Sequence, residues 1–319
     1  MIKRTMAAVM FCAVATLNVG CRSGQVREPD KGGAVQRGEL PAYDVVAAKY
    51  NERVAGLEQV ETLVSLGITA KNEKGERIKN QVEGNLKIKL PSSASMRVDK
   101  AGKSIFYLGS NEQHYWWIDL TADPKVAMVG QHAKATPESV SNFGVPVHPM
   151  DLIEVMAVRP LPAKGEGGDR AKLAWSENGR ALIVSLPGRW GERRFSLDPE
   201  TYDPIRIELL DGTGNTVVSA VHTDFVTAEV VGNVGARPRL SKRIDLTLPA
   251  QDATVTVAVY EPKNPGPQMR VQVFNLRAVL QAYNVQKVVD IDGARADNDP
   301  PAATQAAGVG SRQPGAATR

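Results

Sequence analysis

Residues 78–90 read IKNQVEGNLKIKL. Ile78, Val82, Leu86, Ile88 and Leu90 alternate there with Lys79, Gln81, Glu83, Asn85, Lys87 and Lys89. A period of two sends neighbouring side chains to opposite faces, so this segment is a strand with one dry face and one wet one. The residues before it repeat the pattern: Val60, Thr62, Val64, Leu66, Ile68 and Ala70 alternate, and Asn72-Glu73-Lys74-Gly75-Glu76 makes the turn between the two. Upstream the period changes. Pro41 suits a first helical turn, and Tyr43, Val46, Ala47, Tyr50, Val54 and Leu57 fall on one stripe, with Asp44, Lys49, Asn51, Glu52 and Arg53 on the other side. Downstream, Pro91-Ser92-Ser93 leads into Met96 and Val98, and residues 104–108 and 113–120 form the next hairpin around Gly109-Ser110-Asn111. Five successive strands with short turns predict a meander.

Residues 121–148 show no sustained period, and 149–157 read as a short helix with Leu152, Val155 and Met156 on one face, ended by Pro160. A second run of strands is expected over 171–175, 181–186, 193–197, 204–210, 216–227, 240–248 and 254–260. Asp211-Gly212-Thr213-Gly214-Asn215 has the composition of a hairpin turn needing positive φ. Asn275 can cap a last short helix through Leu276, Val279, Leu280 and Tyr283. About eleven or twelve strands with helices at the start and in the middle predict a mainly β (α+β) fold. Its simplest form is one curved antiparallel sheet around helices that fill its hollow. No linker divides residues 41–292, so a single domain is expected there.

The ends read differently. Lys3 and Arg4 precede an uncharged stretch, TMAAVMFCAVATLNVG at 5–20, which is shorter than the about 20 residues of a membrane span and suits a cleaved export signal. Gly20 stands directly before Cys21, the arrangement at which bacterial lipoproteins are acylated on the cysteine and cut in front of it, although Leu17 sits four residues ahead of Cys21 and Asn18 takes the usual leucine place. Cys12 leaves with the signal, so Cys21 would be a lone thiol; a thioether to lipid is the expected account of it, the alternative being ordinary secretion with Cys21 an unmodified mature cysteine. Residues 1–20 are therefore expected to be a signal peptide and 21–40 a flexible tether. Residues 293–319, rich in Ala, Gly and Pro, are expected to be a disordered tail.

Chemistry is sparse. The chain has 39 Lys+Arg against 35 Asp+Glu, interleaved with no basic stripe, so no nucleic-acid partner is expected. Gly102-Lys103-Ser104 ends like a phosphate loop, but Arg97 stands where the motif needs glycine, and Ser104 opens a strand. Gly165-Glu166-Gly167-Gly168 lacks dinucleotide-binding spacing. No G-x-S-x-G elbow and no H-E-x-x-H exists, and His114, His132, His148 and His222 are dispersed. His148 and Asp151 are spaced to meet across a helix start, but a loop histidine near an N-terminal acid is the favoured reading of the pair. Neither an enzyme nor a cofactor or metal is expected. In His114-Tyr115-Trp116-Trp117-Ile118-Asp119 the two indoles point to opposite sheet faces, so one is covered by another element or open to a ligand.

Residues 50–66, the stretch GSNEQHYWWIDL at 109–120, and LDPETYDPIRIE at 197–208, in which D-P-x-T joins two strands, carry a resemblance. On them the chain resembles the LolA/LolB superfamily of lipoprotein carriers and receptors over most of residues 41–262. The resemblance implies an incomplete β-barrel with a helical lid, packed in or over the concave face, and an apolar cavity that takes acyl chains or lipoproteins. Tyr50, Val64, Leu66, Ile88, Phe106, Trp116 and Met156 are its candidate walls. It further implies a role in lipoprotein sorting or lipid transfer, and the lipid anchor expected at Cys21 fits the receptor-like half of the family, in the outer membrane and facing the periplasm; a monomer is expected. Arg22, and not aspartate, follows the cysteine. The chain exceeds the short carriers of that family in length and adds a C-terminal helix and tail. The alternative expectation is a non-catalytic structural or adaptor lipoprotein with the same fold and a filled core.

Overall fold

The computed structural model describes residues 35, 37–72, 74–136, 148–233 and 235–292. Cys21, the signal peptide, most of the tether and the C-terminal tail lie outside them. One helix, α1 (Tyr43–Val54), precedes six strands: β1 (Gln59–Lys71), β2 (Arg77–Lys89), β3 (Ser93–Lys100), β4 (Lys103–Ser110), β5 (His114–Asp119) and β6 (Val126–Gln131). Helix α2 (Pro149–Val155) follows. Then come β7 (Lys172–Trp175), β8 (Leu182–Pro187), β9 (Gly191–Leu197), β10 (Pro204–Asp211), β11 (Thr216–Thr227), β12 (Glu229–Val230), β13 (Arg239–Leu248) and β14 (Ala253–Asn264). Helix α3 (Leu276–Ala282) and β15 (Lys287–Asp290) complete the described chain.

All strands join one curved, unclosed sheet in the order β15-β6-β5-β4-β3-β2-β1-β14-β13-β11-β10-β9-β8-β7, with the short β12 alongside β14. The architecture is mainly β and is an incomplete barrel. Two antiparallel stacks, β1–β6 and β7–β14, meet where β1 pairs with β14, as in Leu66 opposite Val257. The expected meander is present, with β1 and β2 in unbroken register from Gln59 opposite Lys89 to Lys71 opposite Arg77. Ala101 and Gly102, both at positive φ, turn β3 into β4, so the Gly-Lys-Ser stretch is a tight hairpin. Asp198 Oδ1 accepts the backbone N–H groups of Glu200 and Thr201, which builds the D-P-x-T turn between β9 and β10. Asp211 Oδ1 does the same for Thr213 and Asn215 between β10 and β11.

The core explains where helices sit. Val46, Tyr50 and Val54 of α1 and Ile153, Val155 and Met156 of or beside α2 share one apolar cluster with Val64, Ile88 and Phe106 of the first stack and Val184, Phe195 and Ile207 of the second. Helix α2 touches β3, β4 and β10, so it bridges the two halves of the hollow. Each stack alone would leave its inner face wet. The helices bury both.

Several expectations are corrected. Gly109 and Ser110 belong to β4, and the turn begins at Asn111, whose Oδ1 accepts from the backbone of Gln113 and His114. The stretch without a period contains β6: Val126 to Gly130 are all buried, because both of its faces are covered, and a strand buried on both sides shows no alternation. β15 was not expected. It pairs parallel with β6, Val288 opposite Ala127, after α3 has crossed the outer face. Arg53, on the wet side of α1 by periodicity, is only 5% exposed because its guanidinium finds carbonyl partners inside.

Candidate functional site

Tyr50, Val64, Leu66, Ile88, Phe106 and Met156 are brought together in the inner core, each no more than 5% exposed. The Tyr50 ring meets Phe195 edge-on at 5.9 Å, and Phe106 meets Trp117 at 6.4 Å. Their side chains are in contact across the hollow, and none of them lines the clefts described below. Trp116 does not join them. It lies on the outer face, fully buried with Tyr107, Ile118, Val129 and, from α3, Leu276 and Val279. Strand alternation separated the two indoles as expected: Trp117 turns inward, and Trp116 is covered by the C-terminal helix. Asn275 Oδ1 caps that helix by accepting from Ala278 N, and Tyr107 Oη donates to Val273 O at 2.7 Å to hold the turn before it.

What fastens α1 over the core is polar. Asn51 Nδ2 donates to Leu161 O and Asn51 Oδ1 accepts from Leu161 N, at 2.9 and 2.7 Å. Tyr43 Oη donates to Pro162 O at 2.6 Å. Arg53 lies over the Tyr50 ring and reaches two backbone oxygens, Ala157 O at 2.6 Å and Arg239 O at 2.9 Å. These bonds tie α1 to residues 157–162 just after α2, and to β13. The Arg53 guanidinium is held by these carbonyl oxygens and pairs with no carboxylate among the described residues. Packing alone would favour an apolar side chain at such a place. Nothing in the local sequence marks Arg53 as buried, since its partners are more than 100 residues away.

A second polar group surrounds α2. Glu154, 8% exposed, bonds Arg159 through one carboxylate oxygen and Arg193 through the other, each at 2.8 Å. Asp151 is also buried, and desolvation pushes its carboxyl up to about 7 against the pull of Arg189. His148 precedes the helix and caps it, Nδ1 accepting from Met150 N at 3.0 Å, so the bond it makes is to the backbone two residues on. Burial lowers its imidazole to about 2 and that of its neighbour His132 to about 4, so both are neutral rings in a cluster with Tyr115 and Trp190. Beside α2 opens a cleft of about 320 Å³, bounded by the turn between β8 and β9 and by β10 and β11. Among the described residues no group of three or more His, Cys, Asp or Glu is placed to hold a metal ion, and no helix is long and apolar enough to cross a membrane.

No family model matches the chain, and no curated protein matches it in sequence. Solved structures of similar fold include a LolA superfamily protein from Nitrosomonas europaea, 8% identical, at a TM-score of 0.46 over 73% of this chain and 97% of that one. A DUF1329 family protein from Desulfovibrio piger is 11% identical, at a TM-score of 0.49 over 74% of this chain and 96% of that one. A domain assigned to outer membrane lipoprotein sorting, from Vibrio parahaemolyticus, is 10% identical, at a TM-score of 0.48 over 73% and 97%.

Proposed function

We propose that this chain is a lipid-anchored, non-catalytic envelope protein that binds acyl chains of lipids or lipoproteins against the concave face of its sheet, with α1 and α2 as a removable cover. The observation that carries this reading is the Arg53 latch. The apolar hollow of an unclosed sheet is covered by two short helices, and beside the neutral Asn51 and Tyr43 bonds the cover is fastened by a charged side chain on the backbone oxygens of Ala157, just after α2, and of Arg239 in β13. Such bonds can be handed to water when the cover lifts, and the exposed apolar wall would then accept hydrocarbon at roughly 0.8 kcal/mol per buried CH₂. Tyr50, Val64, Leu66, Ile88, Phe106 and Met156 are the wall in this reading. Cys21 supplies the anchor, and the outer membrane is its expected place.

A second reading has its own support. The same six residues are packed against one another, as a filled core requires, and a protein of this shape can work as an adaptor through its surface alone. Gentle purification of the mature chain, organic extraction and mass spectrometry separate the two. Stoichiometric phospholipid or acyl-peptide, together with loss of a fluorescent fatty-acyl probe in Met156→Asp, supports the binding protein. A ligand-free protein that ignores the probe under native conditions supports the adaptor.

A further inference from the structure

The cleft beside α2 has a composition unlike that of the core behind it. Arg159, Arg189 and Arg193 all face it. Glu154 divides its one carboxylate between Arg159 and Arg193. Glu192 at the rim is engaged by Arg194 at 2.9 Å and by Ser185. That leaves Arg189. It lies on the turn between β8 and β9, packs over the Trp190 ring at 5.8 Å, and makes no hydrogen bond or ion pair with a described residue. Its side chain is exposed at the mouth of the cleft, so its fork of N–H donors is free to donate to a ligand's oxygens in place of water. Asp151 is the nearest carboxyl by charge, and it holds its proton to about pH 7. Three guanidiniums therefore share the cleft with two committed carboxylates, Glu154 and Glu192, and with Asp151, which is protonated below about pH 7. Met150, Leu209, Leu210 and Val217 make the other side of the cleft apolar.

We propose that this cleft is a phosphate-binding site, with Arg189 as the residue that grips the phosphate oxygens and the Leu209–Leu210–Val217 wall receiving an apolar stem attached to it. A guanidinium fork matches the spacing of phosphate oxygens, and the volume of about 320 Å³ suits a headgroup and not a whole lipid. The site stands on its own residues and does not need the acyl-binding reading. The phosphate can be that of a lipid headgroup or a free ion.

The test is calorimetric titration of the mature chain with dihexanoylphosphatidate, inorganic phosphate and dihexanoylglycerol, in wild type and in Arg189→Gln and Arg189→Lys, each checked for an unchanged melt. Dihexanoylphosphatidate is expected to bind, dihexanoylglycerol much more weakly, and Arg189→Gln to weaken the phosphatidate at least about tenfold, with partial rescue in Arg189→Lys. Equal affinity for inorganic phosphate would assign the site to the free ion, and much weaker affinity for it would assign the site to a lipid headgroup. Failure of both phosphate probes to bind wild type, or binding unchanged in Arg189→Gln, overturns the proposal. A fluorescent fatty-acyl probe measured on the same proteins keeps the two ideas apart. Acyl binding without phosphate binding sinks this site alone, and phosphate binding without acyl binding sinks the acyl-binding reading alone.

Discussion

The outer face of the sheet offers a strict test of packing at Gly109→Ala. Gly109 of β4 lies opposite Trp116 of β5, and the indole crosses the glycine. A Cβ at residue 109 would stand 2.5 Å from Trp116 Cε2 and Nε1 and 2.6 Å from Cζ2, against an ordinary contact of 3.4–4 Å. The ring must therefore retreat by about 1 Å. It has nowhere to go, since it is fully buried under Leu276 and Val279. Overpacking of this kind costs about 1–3 kcal/mol, while alanine in place of glycine recovers about 0.4–1 kcal/mol by restricting the unfolded chain. The net expectation is a loss of about 1–2 kcal/mol, or a melting temperature lower by about 2–8 °C for a body of this size. Differential scanning calorimetry reads the loss, and tryptophan emission should shift to the red as α3 lifts. In a Trp116→Leu background the same substitution should cost less than half as much, because the two sites share one contact. A Gly109→Ala protein that melts and emits like wild type would refute the placement of Trp116 under α3.

Three further outcomes are expected. Asp151 has its folded pKa raised from 3.8 to about 7, so the stability it contributes is full at acid pH and is lost as pH rises from about 4 to about 7; Asp151→Asn should raise the melting temperature at pH 8 and leave it unchanged at pH 4, with Arg189, Glu154 and His148 the charged and titratable neighbours to hold constant. The partly buried His132 and the buried His148 and His222, lowered to about 4, about 2 and about 3, act in the opposite sense, so stability should fall below pH 6.5 in both proteins, and a flat acid limb would contradict their burial. Glu154→Gln removes the carboxylate shared by Arg159 and Arg193 and leaves two guanidiniums facing each other, which should cost about 3 kcal/mol in urea unfolding; a change under 0.5 kcal/mol would show that the pair is solvated. Arg53→Lys keeps the charge but cannot span Ala157 O and Arg239 O together, so it should melt several degrees lower and admit a fatty-acyl probe faster; unchanged uptake would remove the latch from the functional argument.

The parts of the fold that were legible are those where one residue's surroundings follow from its near neighbours. β1 and β2 alternate because one of their faces is wet, and α1 shows its stripe because only one side of it is covered. Asp198 and Asp211 act on N–H groups within four residues, so their turns could be read directly. β6 could not be read, since α3 and β15 arrive on it from about 150 residues later and erase its alternation. The same holds for the site. Tyr50, Val64, Leu66, Ile88, Phe106 and Met156 each lie on an apolar stripe or strand face, and the family resemblance grouped them; Trp116 does not join them because its cover comes from the other end of the chain. Arg53 and Glu154 look like ordinary surface charges until the sheet curls and brings Ala157 and Arg193 to them.

The seam between β1 and β14 sets the order of folding. Thr62 Oγ1 donates to Tyr260 O across 198 residues of chain. At a synthesis rate of about 5–20 residues per second, the open edge of β1 waits on the order of ten seconds or longer for its partner. During that time the first stack can form its hairpins, but it presents an unpaired strand and an uncovered apolar face, the surfaces that recruit other chains. A chain ending before β14 would carry two such edges, on β1 and on β13. Slow, late closure is the expected kinetic signature, and a chaperone that shields strand edges would act on this protein before residue 253 has emerged and not after.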